Sequence, residues 1–153
     1  MMLRRITATG LVFSVLATAP GAWAQAEAPI VAEARAFMDG YGDDLRAGNR
    51  EGVAGRYDPG GAWIVHHGDV MAVTHEQVLH RYRTAWSPPA AFEWRDLVFV
   101  PSGPDIVSVI GKFDWTPVEG ETERLSYHGL LVRSADGFRI RIEHENPIPP
   151  DAP

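Results

Sequence analysis

Residues 136–146 read DGFRIRIEHEN. Asp136-Gly137 is a tight hairpin signal, and the residues after it alternate with period two. Phe138, Ile140 and Ile142 fall on one face, and Arg139, Arg141, Glu143 and Glu145 on the other. In a half-buried strand the apolar row faces the core. Continuing that parity places His144 and Asn146 inside, or at the rim of the interior. The segment predicts the last strand of an antiparallel sheet with one solvated face.

Working back from this strand, the same period recurs three times. Thr122 to Arg133, Asp105 to Trp115 and Ala91 to Val100 each read as extended, separated by Glu119-Gly120 and Pro101-Ser102-Gly103-Pro104 turns. Four strands in succession predict an antiparallel meander. On the strand from Ala91, Asp96 shares a face with Phe92, Trp94, Val98 and Val100. A carboxylate in an apolar row is costly unless paired, and such a group can serve as an acid or base. The structural alternative is a bulge that turns Asp96 into solvent, or an arginine that satisfies it. On the next-to-last strand His128 aligns with Leu130 and Val132, while Tyr127 aligns with Leu125 and Leu131, so both faces look half-buried.

Upstream the period is helical. Ile30, Ala34, Phe37, Met38, Tyr41 and Leu45 recur at spacings of three and four, which predicts a helix over 29–47 ended by Gly48. Asn49 can cap a second helix through about Tyr57. Asp58-Pro59-Gly60-Gly61 turns into the stretch AWIVHHGD at 62–69, read as a strand. Thr74-His75-Glu76-Gln77 fits a capping box for a third helix, which Ser87-Pro88-Pro89 stops. Trp63 and Val65 outweigh Ala62 on their face and share parity with His67. His67 is therefore expected inward and His66 outward.

The first 24 residues stand apart. A basic start with Arg4 and Arg5, an uncharged apolar run and Ala22-Trp23-Ala24 predict a secretory signal peptide cleaved after Ala24. A periplasmic or secreted protein is expected. The domain is then 25–146, with 147–153 a proline-rich, poorly ordered tail. No later stretch is apolar enough for a membrane span. The formal net charge is −6, and losing the leader makes it more acidic, which does not invite nucleic acid. No cysteine is present, which excludes disulfides, thiol nucleophiles and thiolate metal sites.

Motifs for other chemistry are lacking. Adjacent His66 and His67 diverge on a strand, His75 and His80 are separated around a helix, and no HExxH or calcium loop occurs, so no metal is expected. The serines lack a nucleophile elbow, and no glycine-rich loop would cradle phosphate. No cofactor is expected. General acid–base chemistry or ligand binding in an aromatic pocket remains. Any one of the aromatic residues can be core packing, yet buried tyrosine and tryptophan need polar partners, so some should reach a polar cavity.

The order helix–helix–strand–helix and then a four-stranded meander resembles the NTF2-like (cystatin-like) superfamily. Ala47-Gly48-Asn49 with Val53 and Tyr57, and Asp136 to Pro147, resemble the SnoaL-like/DUF4440-type branch. The resemblance implies an α+β cone: a curved, mostly antiparallel sheet wrapped around a long N-terminal helix with two shorter helices. In the ketosteroid-isomerase branch, a tyrosine of the first helix donates to an oxyanion, and Tyr41 matches it. An aspartate base ends that branch's first strand, where this chain has His66 and His67, the match lying nearer His66. A protonated acid on the next-to-last strand is replaced by His128-Gly129.

Two readings result. One is a non-catalytic binding or association domain, dimeric through the outer face of its sheet. The other is an isomerase- or dehydratase-type enzyme on a small apolar substrate. In that reading His67, Asp96 and His144 carry protons, Tyr41 donates, and Tyr57, Trp63, Trp94, His128 and Asn146 line the pocket.

Overall fold

In a computed structural model, residues 28–149 are described. The proposed signal peptide and the last residues of the tail lie outside them. Helix α1 (Pro29–Ala47) starts with proline in its first turn. It ends at Gly48, whose φ of 63° is left-handed, and Asn49 N–H then donates to Asp44 O at 2.9 Å. Asn49 caps α2 (Arg50–Gly55), its side chain accepting from Gly52 N–H. Arg56 closes back on α1 with two hydrogen bonds to Asp44 Oδ2, at 2.6 and 2.9 Å, which fixes the following Tyr57. The capping box predicted for α3 (His75–Thr84) is present in both halves.

The six strands are β1 (Ala62–His66), β2 (Asp69–Val73), β3 (Ala91–Pro101), β4 (Ile106–Thr116), β5 (Glu123–Ser134) and β6 (Gly137–Pro147). They form one sheet in the order β2-β1-β6-β5-β4-β3, antiparallel except for β1 beside β6. The expected α+β architecture is observed. The inner face packs on α1, where Ala34, Met38, Tyr41 and Leu45 meet Phe92, Val107, Val109, Phe113, Leu125, Tyr127 and Leu131. Among the described residues no helix is long and apolar enough to cross a membrane.

Three local features depart from the sequence expectation. First, 69–73 is a strand, not a passage into α3. His67 and Gly68 form a two-residue hairpin loop with φ of 51° and 89°, the sign a type I′ turn requires. Second, β3 carries a bulge between Arg95 and Val98, with Asp96 at φ 52° and exposed. Leu97 and Phe99 then pack inward, and Val98 and Val100 turn out. Gly111 lies opposite, where a Cβ would stand 2.9 Å from Arg95 O, so the bulged backbone rests on a residue without a side chain.

Third, β6 carries an extra residue. Leu131 pairs with Ile140 and Leu130 with Ile142, leaving Arg141 between. The sheet partner of β6 changes there. Ile140 exchanges backbone hydrogen bonds with Arg56 and Asp58, whereas Ile142 onward pairs with β1. Arg141 turns to Gly61 O, donating at 2.6 Å. One inserted residue inverts the parity beyond it. Glu143 and Glu145 therefore face inward, and Ile142, His144 and Asn146 lie on the outer face. The tail starts later than expected: Pro147 ends β6 and Ile148 N–H donates to Arg124 O.

The bulge at Asp96 gives a test. Asp tolerates the left-handed region, glycine adopts it without strain, and a β-branched residue does not. Asp96→Gly should leave the unfolding free energy from denaturant titration within about 0.5 kcal/mol of wild type, while Asp96→Val should cost about 1–2 kcal/mol. Equal tolerance of valine would contradict the bulge.

Candidate functional site

The inward turn of β6 creates the polar centre of the molecule. Glu143 is 3% exposed, the one charged-type side chain in the core of the described residues. Its carboxyl is met from three elements. Tyr41 of α1 lies 3.2 Å from Oε1, and Tyr57, which follows α2, makes a short contact with Oε2. Tyr57 Oη also lies 3.2 Å from Tyr41 Oη and 2.9 Å from Tyr82 Oη of α3. Tyr127 Oη is buried at the same centre, near enough to Glu143 to act on its carboxyl but outside good hydrogen-bond geometry. Gly129, paired with Glu143 across the strands, makes its room: a Cβ there would stand 2.6 Å from Tyr127 Oη.

Burial dominates the electrostatics. It pushes the Glu143 carboxyl up to about 8, with the charge of Glu145 adding to the rise and the hydrogen bonds from Tyr57 and Tyr41 opposing it. The direction favours the neutral acid in Glu143 near pH 7. Burial, then the nearby Glu143 charge, raises the Tyr41, Tyr57, Tyr82 and Tyr127 hydroxyls above the usual phenol range. Burial thus favours the protonated form of all four hydroxyls and of the carboxyl.

In front of this cluster opens a cavity of about 280 Å³. Tyr41 and Tyr82 reach it, and Phe92, Phe113, Trp115, Trp86, Leu45 and Leu125 form apolar walls. Its polar edge is Glu145, His66, His67, Arg81 and Glu123. His66 Nδ1 lies 3.5 Å from Glu145 Oε2. The two histidines do not diverge: the left-handed turn folds the His67 ring onto His66, with centroids 4.1 Å apart and planes 14° apart.

Of the residues singled out by sequence, Tyr41 and His67 reach the cavity. The inward position on β1 belongs to His66, because Trp63 and Val65 pair with Ile142 and His144 on the outer face. Bulk misled there, since the outer face also carries large apolar side chains such as Trp63 and Ile110. His67 arrives through the turn. Tyr57 stands behind the cavity on Glu143. Trp94 is core: its Nε1–H donates to Met38 O at 3.0 Å and its ring packs on Tyr41 and Tyr127.

Five residues fall elsewhere because of a bulge or their parity. His144, Asn146, His128 and Trp63 share the outer face, where His128 pairs with His144 and the Asn146 amide touches the His144 ring. Asp96 sits on the β3 bulge in solvent. Sequence reasoning set His66 behind His67 on side-chain bulk, although the branch match lies nearer His66, and missed Tyr82, Glu143 and Glu145. The one available signal was Gly129 beside a strand carrying two carboxylates two residues apart, and alternation with Ile142 masked it.

No family model and no curated protein matches the sequence. Solved structures do. An NTF-2-like protein of unknown function from Shewanella oneidensis superposes with a TM-score of 0.66 at 12% identity, covering 75% of this chain and 97% of that one. A candidate calcium/calmodulin-dependent protein kinase II association domain from Xanthomonas campestris gives 0.65 at 18%, covering 77% and 87%. A candidate ketosteroid isomerase from Parabacteroides distasonis gives 0.63 at 12%, covering 76% and 86%.

The buried acid sets a pH-dependent stability. An unfolded glutamate ionises near 4.5 and the folded Glu143 near 8. Its contribution is therefore complete below about 4.5, falls as pH rises to about 8, and is flat above. Denaturant titrations of wild type should show stability declining by a few kcal/mol across that window relative to Glu143→Gln. Parallel curves for the two proteins would contradict the assignment. With six strands in this order on a long first helix, and with these neighbours, the chain has the NTF2-like, or cystatin-like, fold.

Proposed function

We propose that the cavity performs acid–base chemistry on a small, largely apolar carbonyl compound, of isomerase or dehydratase type. One observation carries this reading: the His66–Glu145 pair and Tyr41 line one cavity whose walls are largely aromatic and aliphatic. Glu145 engages His66 Nδ1, which leaves Nε2 as the ring nitrogen able to take a proton. Removing a proton from the carbon beside a carbonyl sends the electron pair toward the oxygen. Tyr41, backed by neutral Glu143, can donate to that oxygen as charge develops. Return of the proton to the same or a conjugated carbon completes an isomerisation. Two carboxyls two residues apart, Glu145 paired with a histidine and Glu143 held neutral, give separate basic and acidic partners. The likeness to a candidate ketosteroid isomerase is compatible with this and no more. A SnoaL-like/DUF4440-type kinship remains part of the proposal.

The test is deuterium uptake. The purified protein, incubated in heavy water with a panel of small aromatic and alicyclic ketones, should exchange the hydrogens beside the carbonyl of some. His66→Ala should slow exchange by about 10²–10⁴-fold, and Tyr41→Phe should also slow it, with the bound fraction retained. Ketones that raise the melting temperature without any exchange would reduce the cavity to a binding site.

The association reading has its own support. The outer face exposes Trp63 at 48%, Ile110 at 50% and Val98 at 57%, apolar side chains on either side of the His128–His144 pair, which together offer a surface for a homodimer. Sedimentation should show a dimer at micromolar concentration that Trp63→Glu dissociates; a wild-type monomer would remove it. We further propose export to the periplasm or beyond, on the charge and hydropathy of residues 1–24.

A further inference from the structure

The tyrosine cluster makes more hydrogen-bond contacts than an ionised Glu143 can supply with hydrogens. Four contacts join four groups: Tyr41–Glu143, Tyr57–Glu143, Tyr41–Tyr57 and Tyr57–Tyr82. Each hydroxyl carries one hydrogen, and the carboxyl carries one only when neutral. With Glu143 ionised, Tyr41 and Tyr57 each spend theirs on a carboxylate oxygen, and Tyr82 donates to Tyr57. All three hydroxyls then point inward. With Glu143 neutral, its own O–H occupies the short contact to Tyr57. Tyr57 can then donate onward to Tyr82, whose own hydrogen is left free.

Only the ends of this relay reach the cavity. Tyr41 and Tyr82 line it, whereas Tyr57 and Glu143 do not. The freed hydrogen therefore appears at the cavity wall, several bonds from the carboxyl that released it. We propose that Glu143 acts through Tyr57 as a positioning residue: its proton frees the Tyr82 hydroxyl to turn into the cavity, which then takes a ligand whose buried end is a neutral acceptor such as a carbonyl oxygen, and the preference is lost when that proton leaves. The inference rests on the cavity being a ligand site, as proposed above, and does not require turnover.

Other groups around the carboxyl do not supply this proton. Tyr41, Tyr57, Tyr82 and Tyr127 face Glu143 from α1, the segment after α2, α3 and β5, and burial keeps all four protonated. Glu145 on the same strand faces the cavity, pairs with His66 of β1 and raises the proton affinity of Glu143 through its charge. Arg81 of α3 acts weakly on Tyr82 in the opposite sense.

The test compares two probes of one shape, acetophenone and α-methylstyrene, which differ in a carbonyl oxygen replaced by a methylene. Affinities are measured by tryptophan fluorescence from about pH 6.5 to about pH 10. Wild type should favour acetophenone by about five- to tenfold at the low end and lose the preference as Glu143 ionises. Glu143→Gln keeps donors at every pH, so its preference should persist unchanged. A wild-type preference that is flat with pH, or one that still titrates in Glu143→Gln, overturns the relay while leaving the cavity reading intact. Binding of neither probe to wild type removes the cavity reading and the relay together. If the glutamine variant fails to fold, the wild-type pH series alone decides.

Discussion

One extra residue in β6 determines what this fold can do. Arg141 stands outside the ladder between Ile140 and Ile142, where the strand leaves the 56–58 segment and joins β1. Without it, Ile142 and His144 would face inward, and Glu143 and Glu145 would face water. With it, the core receives a carboxyl, and the cavity receives a second. The polar contacts of the interior depend on that shift: Tyr41 and Tyr57 meet Glu143, Tyr82 meets Tyr57, and His66 meets Glu145.

Burying a carboxyl is costly unless the charge is removed or the lone pairs are satisfied. Both devices operate here. Burial and the second carboxylate favour the proton, and tyrosine hydroxyls from separate elements occupy the oxygens. The arrangement is tolerable because the helices that carry the tyrosines are well anchored. The Arg56–Asp44 pair fixes the entry to Tyr57, and the capping box fixes the start of the helix bearing Tyr82. The polar cluster that completes the core thus also backs the cavity that opens in front of it.

The architecture was legible in the sequence, and the centre was not. Helix α1 shows its spacing and its terminal Gly48, α3 shows both halves of its capping box, and the β5–β6 turn shows Asp136-Gly137. These signals are local and survive tertiary packing. A bulge is local too, yet it adds one residue without changing composition, and it appears only when strand partners are known. Both bulges defeated parity, at Asp96 and at Arg141, and with them fell the inward placement of Asp96, His144 and Asn146. The β1 reading failed for a different reason. Trp63 and Val65 are bulky although they lie on the outer face, which also carries large apolar side chains, so size did not mark the interior. Tyr41 was placed by helical spacing and by likeness to a related branch, and both pointed into the cavity.

The whole arrangement requires Glu143 to be a neutral acid near pH 7, held by tyrosine hydroxyls. Infrared spectroscopy of protein with labelled glutamate reads this directly. A neutral Glu143 should give a carboxylic C=O band that survives well above the range in which ordinary glutamates ionise, disappears near pH 8, and is missing from Glu143→Gln. No such band at pH 7 in wild type would contradict it.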